Sequence, residues 1–215
     1  MRKIGIIGAS GMAGSEIYKL ASQQAEFEVT GIVRNKSKAE SLLGSDASLL
    51  IGDILTMDDS LLEKFDVIVD AFATSPDKAS EQISLAQKLV ALAKRAKTRL
   101  IFILGAGSLH TGEDSHLVVE DIAKLDGSDA WINTPRQQLK ELEYLSSVDD
   151  IDWLGISPSM EFEAGDATDY VIGKDELLFN DQHESIVTSG TMAKLVVSEI
   201  LSPKHSKERI TVVNK

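Results

Sequence analysis

The sequence predicts an α/β fold built on a doubly wound, mostly parallel sheet. Apolar runs rich in Ile, Val and Leu alternate with helical stretches through the first two thirds of the chain. These runs lack polar alternation, as expected of strands covered on both faces. Strands joined by helical crossovers pair in parallel and carry helices on both sides of the sheet.

The first strand is expected at Lys3–Gly8, followed by a helix whose apolar stripe is Ala13, Ile17, Leu20 and Ala21. Further strands are expected at Glu28–Val33, Ser48–Gly52, Asp66–Ala71, Arg99–Leu104 and Asp152–Ser157. Ile83, Ala86, Leu89, Val90 and Ala93 form a second helical stripe. Thr134-Pro135-Arg136-Gln137 reads as a capping box, with Thr134 as the cap and Pro135 in the first helical position. Leu139, Leu142 and Leu145 then supply that helix's buried face. The last helix runs from about Met192 to Leu201 and stops at Ser202-Pro203.

Between Ser157 and Ser189 the rhythm breaks into a Gly-, Asp- and Glu-rich stretch, with short strands expected at Asp169–Ile172 and Ser185–Thr188. The expectation is one domain over residues 1–215. Residues 158–189 would form a small substrate-side lobe over the carboxyl ends of the strands, where such folds bind ligands.

Composition narrows the function classes. The 215 residues include no cysteine, which excludes disulfides, thiolate nucleophiles and cysteine-held metals and suits a reducing cytoplasm. A net charge of −12 disfavours nucleic acid and anionic membrane surfaces as partners. The basic piece Lys204, His205, Lys207 and Arg209 reads as a solvated turn before a final strand. The apolar start is too short and too glycine-broken for a signal peptide, and no stretch is long enough to span a bilayer. A small-molecule partner is expected, and a homo-oligomer is compatible with the sequence.

The chemistry-bearing motif is Gly8-Ala9-Ser10-Gly11-Met12-Ala13-Gly14, set between the first strand and an amphipathic helix. A diphosphate needs backbone amides converging at a helix N-terminus with no side chain in the way. Gly8 permits the turn, Gly11 the close approach, and Gly14 the packing of helix on strand. A glycine-rich turn without ligand would share the pattern but not its place at the head of a βαβ unit. The expectation is a Rossmann-type NAD(P)-binding fold.

The end of the second strand separates the two cofactors. Where an acidic residue would bond a ribose 2′-hydroxyl, Arg34-Asn35-Lys36-Ser37-Lys38 offers cations. NADP(H) is therefore expected over NAD(H), although a solvated basic turn would read the same way. Ala71, Phe72 and Ala73 after the fourth strand, and Gly105 after the fifth, are expected beneath the ribose and nicotinamide. Ser10, Met12, Ala13 and Pro158 complete the expected cofactor shell.

The chain resembles the atypical short-chain dehydrogenase/reductases, in the branch of NADH-flavin reductases related to biliverdin-IXβ reductase. The resemblance rests on Gly8–Gly14, on Gly105-Ala106-Gly107-Ser108-Leu109, on Ile156-Ser157-Pro158-Ser159, and on Thr168–Asp175. It implies that Asp53 accepts from the adenine amino group and that Ile54 packs beside the ring; an ordinary turn acid would fit Asp53 equally. It also makes Ser108 a weak candidate for a substrate-binding catalytic serine, with a structural turn serine as the alternative. His110 and His116 stand near Ser108 with no metal-ligand spacing, so no metal is expected. Trp131, Ser159, Met160 and Phe162 are the expected substrate pocket, and Trp153 is expected in the core.

The short-chain Tyr-x-x-x-Lys pair is absent from its usual helix, where Tyr144 is followed four residues on by Val148. Tyr170-Val171-Ile172-Gly173-Lys174 has the spacing but lies on a strand-like segment, where residues four apart stand roughly 13 Å from each other. Without that acid–base pair, the expected activity is NAD(P)H-dependent reduction of a flat conjugated acceptor such as a flavin or quinone. An NADP-binding redox sensor without turnover is the alternative from another class, and a sugar-nucleotide epimerase or dehydratase is a second.

Overall fold

The computed structural model describes all residues, 1–215. In chain order the strands are β1 (Arg2–Ile7), β2 (Phe27–Val33), β3 (Leu49–Ile51), β4 (Val67–Asp70), β5 (Arg99–Ile103), β6 (His110–Thr111), β7 (His116–Leu117), β8 (Trp153–Ser157), β9 (Glu161–Glu163), β10 (Tyr170–Gly173), β11 (Ile186–Thr188) and β12 (Glu208–Asn214). The helices are α1 (Met12–Ser22), α2 (Lys36–Leu43), α3 (Glu81–Ala96), α4 (Val118–Ile122), α5 (Asn133–Ser146) and α6 (Ser189–Leu201). Eight strands form the main sheet in the order β10-β12-β8-β5-β4-β1-β2-β3. All pairings in it are parallel except β10 with β12. This is the doubly wound Rossmann-type sheet that the apolar runs predict.

Strand alternation explains the two-sided core. Ile4, Ile6, Val67, Val69 and Ile101 face one cluster, which Ile17 of α1 and Val196 and Ile200 of α6 complete. Ile7, Ile68, Leu100, Phe102 and Trp153 face the other, with Leu85 and Leu89 of α3 and Leu145 of α5. Successive side chains point to opposite faces, so a strand covered on both sides is apolar throughout. No helix is long and apolar enough to cross a membrane.

Several local expectations are corrected. The basic run after β2 is not a turn: it opens α2, with Asn35 Oδ1 accepting from the Lys38 amide at 2.9 Å. The capping box is not formed either. Helix α5 begins at Asn133 behind an uncapped Ile132, so Thr134 and Pro135 lie inside the first turn. Asn133 fixes that turn by donating to the Pro76 carbonyl and accepting from Gln137 Nε2. Pro135 is tolerated because first-turn amides have no intrahelical acceptor. The stretch 158–189 is divided, since β10 joins the main sheet through β12 while β9 and β11 pair with each other. Arg209, read as part of a solvated turn, is a buried residue of β12.

Candidate functional site

Strand β1 delivers the chain to Gly8, whose φ of +71° favours glycine and whose added Cβ would lie 2.4 Å from the Ala71 carbonyl oxygen. At Gly14 a Cβ would meet the Gly8 carbonyl oxygen at 2.2 Å. The loop between strand and helix therefore closes only with glycine at both places. Helix α1 starts behind Gly11 with no side-chain cap and no acidic residue in its first turn. Its first amides are left for an anion, and the helix dipole favours negative charge at that point.

A cleft of about 280 Å³ opens over this helix start at the carboxyl ends of β1, β2 and β4. Of the expected cofactor residues, Gly8, Ser10, Gly11, Arg34, Ile54, Ala71, Phe72 and Ala73 line it together. Met12, Ala13, Gly14, Asp53, Gly105 and Pro158 do not line it. Gly105 instead packs against the amide of Gln138 from α5, which a Cβ would meet at 2.1 Å. Asp53 is exposed, and its Oδ1 accepts from the Leu55 amide at 3.0 Å in a local turn. Asn35 and Lys38, both in the basic run that the sequence offers after β2, join the lining. The exposed Arg34 and Lys38 face the cleft, whereas Lys36 pairs with Glu40 at 3.5 Å.

Beneath the cleft wall lies a feature that sequence reasoning did not single out. Asp70 ends β4 fully within the protein, and its Oδ1 accepts from the Phe72 amide at 2.9 Å. Loss of water pushes its pKa up to about 7, against the lowering effect of that hydrogen bond. Glu141 of α5 is also buried, and its pKa is raised well above the usual range, by desolvation first and by the Asp70 charge second. A carboxyl closing an otherwise apolar strand was the available signal.

Three expected pocket or catalytic residues have other tasks. The Ser108 hydroxyl is buried, lies 3.2 Å from the Gly105 carbonyl that it donates to, and accepts from Arg209 Nη1 at 3.1 Å. Its hydroxyl is engaged on both sides, the arrangement of a structural turn serine. Ser159 is buried and donates to the Val212 carbonyl at 2.6 Å, tying the loop after β8 to β12. Phe162 packs against the core cluster that holds α1 and α6. Trp131 is exposed and lines neither the cleft nor the larger cavity beyond it.

That second cavity, of about 500 Å³, is bounded by Thr111, Val118 and Asp121 after β5, by Met160 and Glu161 after β8, and by Leu177, Phe179 and residues 183–186. Met160 is the one expected pocket residue among its walls. Asp121 also holds His116, which is 2.7 Å away through Nε2, while Asp114 sits 2.6 Å from Nδ1. Hydrogen bonds to Asp114 first and Asp121 second raise the His116 pKa.

Tyr170 and Lys174 are not joined. The Lys194 ammonium lies 5.7 Å from the centre of the Tyr170 ring, and Lys174 pairs with Glu208.

Residues 8–203 match a family described as NAD(P)H-binding. The chain belongs to that family. It is 35% identical to the uncharacterized protein YwnB of Bacillus subtilis, with 99% of each chain covered. A solved structure from Lactobacillus casei superposes with a TM-score of 0.91 at 32% identity, over 99% of both chains. A Streptococcus pneumoniae protein described as a "putative NADH-flavin reductase" superposes with a TM-score of 0.87 at 26% identity, over the full length of both. For an NAD(P)H-binding chain the donor set fits. Glycine at positions 8 and 14 lets the loop close against backbone, the first turn of α1 is uncapped, and two exposed cations line the cleft.

Proposed function

We propose that this chain is an NAD(P)H-dependent oxidoreductase that prefers NADP(H) and reduces a flat conjugated acceptor such as a flavin or quinone. The observation that carries the reading is the order of sites along the carboxyl edge of the sheet. The glycine loop over β1 would hold the pyrophosphate, and Arg34 and Lys38 after β2 would hold the ribose 2′-phosphate. The Ala71–Ala73 backbone would run beneath the nicotinamide half. The segments that follow β5 and β8, the next strands in the sheet order, help bound a second cavity of a size suited to a small aromatic ligand.

When bound, the reduced nicotinamide supplies a hydride. The chain's own contribution is proximity and orientation of two rings, with no phenol–lysine pair in reach of the cleft. A flavin or quinone needs no such pair, because water protonates the reduced product. The description of the Streptococcus pneumoniae relative supports the flavin acceptor, while the cofactor it names is NADH. Steady-state oxidation of NADPH and NADH against a panel of flavins and quinones tests it. Acceptor-dependent oxidation, faster with NADPH at limiting cofactor, is expected, and no oxidation with any acceptor would overturn the assignment.

A further inference from the structure

We propose that the second cavity selects an acceptor with an uncharged or cationic ring system and discriminates against phosphate-bearing ones, so that it takes a free isoalloxazine or quinone ring but not a flavin nucleotide. The inference rests on the reductase reading above and names its substrate class. Apolar walls are supplied by Met160, Leu177 and Phe179, with Met160 41% and Phe179 56% exposed to solvent. Large apolar side chains left this open at a concave surface mark a place where a ring is covered.

The charges around those walls set what else the ligand can carry. Glu161 and Glu184 line the cavity, and neither takes part in an ion pair. Asp121, the third lining carboxylate, is already held by His116 and by Lys124 at 2.9 Å. No lysine or arginine lines the cavity, and His183 is the one wall residue able to carry positive charge. The contrast with the dinucleotide cleft is internal to the molecule: there Arg34 and Lys38 stand where a phosphate is expected. With a net charge of −12 behind them, two uncompensated carboxylates repel a phosphate dianion and accommodate a neutral or cationic ring. The reduction balances with what the reading supplies. A hydride delivers two electrons and one proton to the acceptor, a water-derived proton completes the reduced ring, and the nicotinamide leaves oxidised.

The test is fluorescence titration of riboflavin and of its 5′-phosphate, which share one ring system, into the protein saturated with NADP⁺ at mildly alkaline pH. Riboflavin is expected to bind at least about tenfold more tightly at low salt, and high salt should narrow the gap by screening. The double variant Glu161→Gln/Glu184→Gln removes both exposed charges without touching the core. It should bring the two affinities within about threefold by strengthening the phosphate alone, as expected when like-charge repulsion is removed. Equal affinities in the wild type, a gap that neither salt nor the double variant moves, or no riboflavin binding at all would each overturn the proposal. Turnover separates it from the reading beneath it. Charge-selective binding with no NADPH oxidation sinks the reductase and leaves the selectivity standing, whereas equal kcat/KM for both flavins does the reverse.

Discussion

Replacing Asp70 by Asn probes the carboxyl buried beneath the cleft wall, because the amide keeps the Oδ1 acceptor for Phe72 and removes the charge. An aspartate free in the unfolded chain titrates near 3.8, whereas Asp70 in the folded protein holds its proton up to about 7. Folding therefore takes up a proton between those values, and the folded state loses stability as pH rises through the window. Below 3.8 both states are protonated and above 7 both are ionised, so the penalty is absent at the acid end and constant at the alkaline end. The full shift corresponds to about 4 kcal/mol at 1.36 kcal/mol per pKa unit, with about 2 kcal/mol of it falling between about pH 5.5 and about pH 8.5. Urea unfolding followed by circular dichroism at those two pH values measures the effect. Titration of groups remote from Asp70 cancels in the comparison of variant with wild type, whereas the Glu141 pKa, raised in part by the Asp70 charge, falls in the variant. Relative to wild type, Asp70→Asn should gain about 2 kcal/mol more at the alkaline value than at the acid one. The same stability difference at both pH values would refute the reasoning.

Three further outcomes follow from the cleft. Arg34→Ala should weaken NADPH by about 1.5–3 kcal/mol, the scale of a charged hydrogen bond, and leave NADH nearly unchanged; calorimetric titration showing equal losses, or a wild-type preference for NADH, would contradict the 2′-phosphate role. Gly11→Val should abolish dinucleotide binding in a protein that circular dichroism shows to be folded, because its added Cβ meets only the Gly8 carbonyl oxygen, at 3.2 Å, and the larger side chain would obstruct close approach of a diphosphate to the start of α1. Tyr170→Phe should keep turnover with a flavin or quinone within a few-fold. A loss of about 10²-fold or more, the range of general acid–base catalysis, would restore a phenolic proton donor.

What the sequence reveals and what it hides divide along physical lines. The strands of the sheet centre are legible because burial on both faces makes them continuously apolar, as in Ile4, Ile6 and Ile7. Helix α2 escapes notice because only Ala39 of its residues is buried, so it has no apolar stripe to betray it. The place of β10 is hidden for a different reason. It is fixed by pairing with β12 some forty residues later, from Tyr170 against Asn214 onward, and such pairing leaves no local mark. The glycine loop and its cations are legible because the backbone itself does the work there. The hydroxyls of Ser108 and Ser159 are not, since their partners Arg209 and Val212 lie 101 and 53 residues away.

The two edges of the sheet treat buried charge differently, and the difference bears on where the site is. At the amino edge, Arg99 opens β5 and bonds Asp152 at 3.0 Å and the His205 carbonyl at 2.8 Å. Glu199 of α6 is buried there but has four donors: Arg99 Nη2, the amides of Lys204 and His205, and the His205 ring 2.8 Å away. Such a network fastens the 202–207 loop and β12 to the body, and its charges offset one another's desolvation, although Arg99 Nε is itself buried without a partner. At the carboxyl edge the opposite holds. Asp70 has one amide, Glu141 has no ion-pair partner, and in the first turn of α3 the Gln82 Oε1 is buried without a hydrogen bond. Each of these groups costs stability where it stands, and nothing in the packing of the strands requires a polar side chain at those points. Burial of weakly partnered titratable groups beside a cleft is a feature that candidate active sites share. The weakly partnered carboxyls thus lie at the same edge of the sheet as the glycine loop, with Asp70 in register with Ile7, the last residue before that loop.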